Sequence, residues 1–182
     1  WNTINVKNMN ATFLNSSIFN QDLNNWDTSN VRTMANMFEY AYLFNQDLDN
    51  WDTSNVTDMQ AMFLGCNIFN GDISTWNTIN VKNIENMFEF CNVFNQDIGS
   101  WNVSNVQTME STFIDCFNFN QDLGSWNTQN VTTMENMFLN ASSYNTSIKY
   151  WNTRNCSNFY GMFNNATSFN QDIRYLYIQS NA

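Results

Sequence analysis

The sequence predicts an α/β solenoid, leucine-rich-repeat-like in plan: seven 25-residue coils, each with a short strand and a short helix. Three observations predict it. All seven tryptophans, Trp1, Trp26, Trp51, Trp76, Trp101, Trp126 and Trp151, stand 25 residues apart. Numbered from Trp as position 1, other columns keep the same register: position 5 is always Asn, position 13 always Phe and position 20 always Asn. Each repeat also divides into a segment with helical apolar spacing and a short apolar-anchored run. One residue type per column at a fixed period means that each residue stacks on its own copy in the next coil. The repeats start at 1, 26, 51, 76, 101, 126 and 151. They form one unit over 1–182, with a degenerate remnant at 176–182 where Leu176 stands in place of Trp.

The helical segment is clearest in SNVRTMANMFEYA, residues 29–41. Val31, Met34, Met37, Phe38 and Ala41 fall at i, i+3, i+6, i+7 and i+10, one face of a helix. The Thr, Ser and Asn just before it are N-cap residues. The other segment, FNQDLNNW, has Leu23 and Trp26 as apolar anchors and reads as a short strand between turns. Position 16 is always small (Ser16, Ala41, Cys66, Cys91, Cys116, Ala141, Ala166), and position 19 is Phe except at Tyr144. The Trp, Phe and Met columns are assigned to the core.

Two asparagine columns read as structural ladders joining neighbouring coils: Asn5, Asn30, Asn55, Asn80, Asn105, Asn130 and Asn155, and Asn20, Asn45, Asn70, Asn95, Asn120, Asn145 and Asn170. The aspartates Asp22, Asp47, Asp72, Asp97, Asp122 and Asp172 form a third column, broken by Ser147. Two carboxylates ~5 Å apart repel by roughly 3 kcal/mol at an effective dielectric of 20, and by under about 1 in water. Such a column therefore lies in solvent, accepts backbone N–H groups in Asx turns, or shares Ca²⁺ between coils through Asp22, Asp47, Asp72, Asp97 and Asp122. Ser147 favours the turn, because serine makes the same turn but is a poor calcium ligand.

Net charge is -10, with six Lys and Arg against sixteen Asp and Glu, and the basic residues do not cluster. Nucleic acid and anionic membranes are excluded as partners on that ground. No run is long and apolar enough to span a membrane. No histidine, phosphate loop or serine–base pair exists, and nearly every polar residue belongs to a column, so the chain reads as no enzyme with no cofactor beyond the calcium option. Cys66, Cys91 and Cys116 share one column and Cys156 replaces a Val; they read as small buried residues and not as a zinc site. Glu85, Glu110 and Glu135 line up at position 10 beside Glu89. This acidic stripe is a solvated face, or a surface for a basic partner or a divalent cation. Positions 4, 7, 8 and 24 vary most and are expected to be exposed.

The repeat W(D/N)TSNV..M..MF..A..FNQDL resembles that of BspA-like leucine-rich-repeat bacterial surface proteins and surface lipoproteins, over residues 1–175. The resemblance implies a solenoid at the cell surface or outside the cell, acting in adhesion or as a protein-interaction scaffold. Its partner would be a protein or glycan on a host or neighbouring cell. The alternative is a structural subunit that self-associates through uncapped ends, since Trp1 opens directly on a motif.

Overall fold

The computed structural model describes residues 1–174 and 176; Tyr175 and Tyr177–Ala182, most of the predicted remnant, lie outside the described residues. The coils stack in the 25-residue register. Parallel bridges join position 8 of each coil to position 8 of the next: Asn8 to Thr33, Thr33 to Asp58, Asp58 to Asn83, Asn83 to Thr108, Thr108 to Thr133 and Thr133 to Asn158.

The predicted secondary structure does not form. Among the described residues there is no helix, and the only pairing is these isolated bridges, so the α/β, leucine-rich-repeat plan is corrected. The reason lies at positions 11 and 15, which are left-handed in every coil. In coil 2, Asn36 has φ 58 and Tyr40 φ 57; in coil 4, Asn86 has φ 56 and Phe90 φ 62. A right-handed helix cannot pass through a left-handed residue. Alternate N–H groups instead turn outward along the stack. Met34, Asn36, Phe38 and Tyr40 donate to the carbonyls of Asp58, Gln60, Met62 and Leu64 at 2.7–3.0 Å. The N–H groups between them close three-residue turns: Met37 to Met34, Glu39 to Asn36 and Ala41 to Phe38, at 2.8–3.2 Å. Turn and ladder together consume the donors that a helix would use.

Residues 19–26 are not a strand either. Leu48 N–H reaches the Asp72 carbonyl at 2.9 Å, and Trp51 N–H closes a turn onto the Leu48 carbonyl at 3.1 Å. Nor do the threonines cap a helix. Thr28, Thr53, Thr78 and Thr128 are buried and donate their hydroxyls to the position-2 carbonyl of the next coil at 3.0–3.1 Å.

The core is a set of continuous columns. Rings of position 13 repeat every 5.4–5.8 Å and rings of position 19 every 5.8–6.0 Å. Within a coil the two rings stack at 3.9–4.2 Å. Val31, Met34, Met37, Phe38, Phe44 and Leu48 are fully buried in coil 2, and their equivalents repeat this in coils 3 to 6, while Val6, Phe13, Phe19, Phe159, Phe163 and Phe169 of the outer coils are partly buried. Leu176 packs against the last coil.

Candidate interaction surface

The polar columns lie on the outside of the stack. Each Asn at position 5 from Asn30 to Asn155 is exposed, yet donates its Nδ2 to the position-4 carbonyl of the preceding coil at 2.7–2.8 Å. The position-20 column is also exposed. From Asn45 to Asn170, each backbone N–H donates to the Oδ1 of the preceding Asn at 2.7–3.0 Å.

The aspartate column combines two of the three environments open to it, solvent and turn. Asp22, Asp72, Asp97, Asp122 and Asp172 each accept the N–H two residues on, at 2.8–3.0 Å. Asp47 instead accepts the N–H of Asp72 at 2.9 Å, and Ser147 accepts that of Lys149 at 3.4 Å. Hydrogen bonds from Arg174 hold the Asp172 carboxyl at about 2. Among the described residues no three His, Cys, Asp or Glu side chains come together to hold a metal ion. A second Asx column, at position 2, was missed by the sequence reading. Asn2, Asp27, Asp52, Asn77, Asn102, Asn127 and Asn152 each accept the N–H two residues on, at 2.9–3.3 Å. Its signal was in the sequence, since only Asn and Asp occur there.

Cys66, Cys91, Cys116 and Cys156 are free and buried. The first three direct their thiols at the position-13 carbonyl of the preceding coil, at 3.0–3.1 Å. Burial pushes all four thiols up.

The unusual surface is at positions 17 and 18. In every coil the N–H of position 19 closes a turn onto the carbonyl of position 16 at 2.9–3.1 Å. Positions 16 and 19 are columns of the interior, so 17 and 18 sit at the apex of a turn and point outward. Turn apices favour Gly, Asn, Asp and Ser. Coils 5 to 7 obey, with Asn118, Ser143 and Ser168 at position 18. Coils 1 to 4 instead carry Ile18, Leu43, Ile68 and Val93, which are 83%, 46%, 41% and 37% exposed. Tyr42 and Phe117 at position 17 are exposed beside them, as is Phe90 at position 15. Phe90 and Tyr40 occupy a left-handed site where other coils place Asn, Asp or Gly, residues that take this conformation at less cost.

Two acidic groups adjoin this face in the chain, Glu89 before Phe90 and Asp115 before Phe117. Glu85, Glu110 and Glu135 are half-buried at position 10. Burial, and then the neighbouring Asp115, push the Glu89 carboxyl up to about 7. Burial also raises Glu110, with Glu85 and Glu135 adding repulsion from either side. Asp115 accepts the Nδ2 of Asn140 at 2.6 Å, and Glu135 that of Asn158 at 2.6 Å. The sequence reading found the glutamates but missed the apolar apex. The signal was four consecutive aliphatics at position 18, just before a Phe column.

No helix among the described residues is long and apolar enough to cross a membrane. No curated protein and no solved structure matches the chain. A repeat family matches it at residues 1–97 and again at 65–177, and the chain therefore belongs to DUF285, described as Mycoplasma protein of unknown function.

Proposed function

We propose that the protein is a non-enzymatic interaction scaffold, displayed at a cell surface or outside the cell, which binds a protein or glycan through the turn-apex face of its first coils. The observation that carries this reading is the aliphatic column Ile18, Leu43, Ile68 and Val93, exposed where turn chemistry calls for polar residues. The rest of the molecule supports it. The ladders make a rigid stack, and a rigid stack displays a row of side chains at little entropic cost on binding. A surface setting draws on the resemblance of the repeat to bacterial surface proteins and agrees with the acidic charge.

The test is a protein and glycan array probed with the wild-type chain and with a Leu43→Ser, Ile68→Ser, Val93→Ser triple variant. Binding by the wild type and loss by the variant is the expected result. Silence of the wild type across the array, or equal binding by both, would sink the reading.

A second reading, head-to-tail assembly, draws on the outer faces of the first and last described coils. Phe159, Met162, Phe163, Ile173 and Leu176 line an open apolar pocket of about 300 Å³ at one face. Trp1, Val6, Met9 and Trp26 line one of about 150 Å³ at the other. Light scattering that shows no growth in mass with concentration would rule assembly out.

A further inference from the structure

We infer that the turn-apex face takes a basic amphipathic α-helix of a partner protein, laid along the stack with its apolar stripe on position 18 and its Lys and Arg over the acidic border. This rests on the interaction reading above and names the partner's chemistry.

Spacing is the first argument. The Phe rings of position 19, next in the chain to the apex residues, repeat every 5.8–6.0 Å. An α-helix has a pitch of about 5.4 Å and brings one apolar side chain to the same face each turn. Three coil steps from Ile18 to Val93 therefore match about three helical turns. An extended strand presents same-face side chains every ~6.7 Å and falls out of step sooner.

The backbone gives the second argument. Strand addition needs a row of unpaired N–H and C=O groups along the side of the receptor. Here the N–H groups of positions 9, 11, 13 and 15, in the segment that leads into the apex, are already spent on the next coil, and only the short apex turn itself remains. What the face offers is side chains: aliphatic at position 18 and aromatic at Tyr42, Phe90 and Phe117. Aromatic side chains beside aliphatic ones are the composition of a helix-binding groove.

Charge chooses between helices. Glu89 is next to Phe90 in the chain and Asp115 two residues from Phe117, and the whole chain carries -10. An acidic or neutral helix gains nothing from that border. A helix with Lys or Arg flanking its apolar stripe relieves the repulsion between Glu89 and Asp115 as it docks.

The probe is a fluorescein-labelled Lys/Leu helix of about 18 residues with one apolar stripe, read by anisotropy. Its controls are a scrambled peptide of the same composition, a Glu/Leu helix, and a Lys/Leu peptide of alternating strand pattern. The Lys/Leu helix is expected to bind at least about tenfold more tightly than each control. The Leu43→Ser, Ile68→Ser, Val93→Ser variant should weaken it about tenfold, and Ile79→Ser, an exposed aliphatic elsewhere, should not. Glu89→Gln with Asp115→Asn should weaken it severalfold and flatten its salt dependence. Equal binding of the scrambled or strand-pattern peptide, or an unchanged affinity in the triple serine variant, would overturn the helix proposal. A triple variant that loses its array partner while no helix binds the wild type also overturns this inference, yet leaves the interaction reading standing. The serines are those that coils 6 and 7 carry at the same position, so a thermal melt of the variant checks folding separately.

Discussion

Trp76 hangs its indole N–H on the carbonyl of Leu48, 2.9 Å away and 28 residues earlier in the chain. The same bond recurs from Trp51 to Trp151 at 2.8–3.2 Å. The ring is thus both core and cross-link, with Trp76 only 4% exposed. Replacing Trp76 with Phe removes the donor, leaves the Leu48 carbonyl with only the Trp51 N–H, and opens a small cavity. The expected loss is roughly 2–4 kcal/mol in a urea melt. A loss under about 1 kcal/mol would mean that the bond contributes nothing.

Ala11 holds a left-handed conformation, φ 54, on an exposed site where coils 2, 4 and 6 place Asn36, Asn86 and Asn136. Alanine is strained there and asparagine much less so. Ala11→Asn should stabilise the stack by roughly 0.5–1 kcal/mol. A helical segment would respond in the opposite sense, because alanine is the better helix former. Calorimetry of this one variant therefore tests the backbone path.

Asp97 Oδ1 accepts the Gly99 N–H at 3.0 Å. Asp97→Ala should cost about 1 kcal/mol through loss of that turn bond, and Asp97→Asn much less. Because the column is already engaged with backbone donors in solvent, adding calcium and then EGTA should leave the melting midpoint unmoved. A calcium-dependent rise that vanishes in the Asp97→Ala variant would show that the column binds metal after all.

Glu89 gives the stability a pH dependence. Its folded-state pKa is raised from the usual carboxylate range to about 7, chiefly by burial. The folded protein thus holds that proton more tightly than the unfolded chain does. Its contribution is fully present below about pH 4.5 and is lost as pH rises to about 7. Glu89→Gln should remove this loss and raise stability at about pH 8 by roughly 1 kcal/mol, since solvent around a half-exposed group screens much of the shift. Parallel melts across pH decide it. Identical slopes in the variant and the parent would assign the dependence to other groups.

The core was legible in the sequence because burial leaves a compositional mark. The Trp, Phe, Met and Val columns are inside, and a one-residue slip would have broken every column at once. The two asparagine columns were legible for a similar reason: a side chain that bonds the backbone of the neighbouring coil admits few substitutes. The secondary structure was not legible. Val31, Met34, Met37, Phe38 and Ala41 mark one inward face, yet a helix and a chain of three-residue turns can both present residues at that spacing. The left-handed positions 11 and 15 decide between them, and they carry residues as unlike as Ala11, Tyr40, Phe90 and Asp115. The apolar apex was also overlooked, because a run of aliphatics beside a buried Phe column reads as more core until the turn at positions 16–19 is seen to face them outward.

The sequence by itself determined the 25-residue register, the buried columns and the acidic character, since each of these is a statement about which residue types recur and at what interval. Only the tertiary structure decided the backbone path within a coil and which side chains face the solvent. Both depend on where each N–H finds its acceptor, and over positions 9 to 15 the acceptor for every second one lies about 25 residues away in the next coil, beyond the reach of any local pattern.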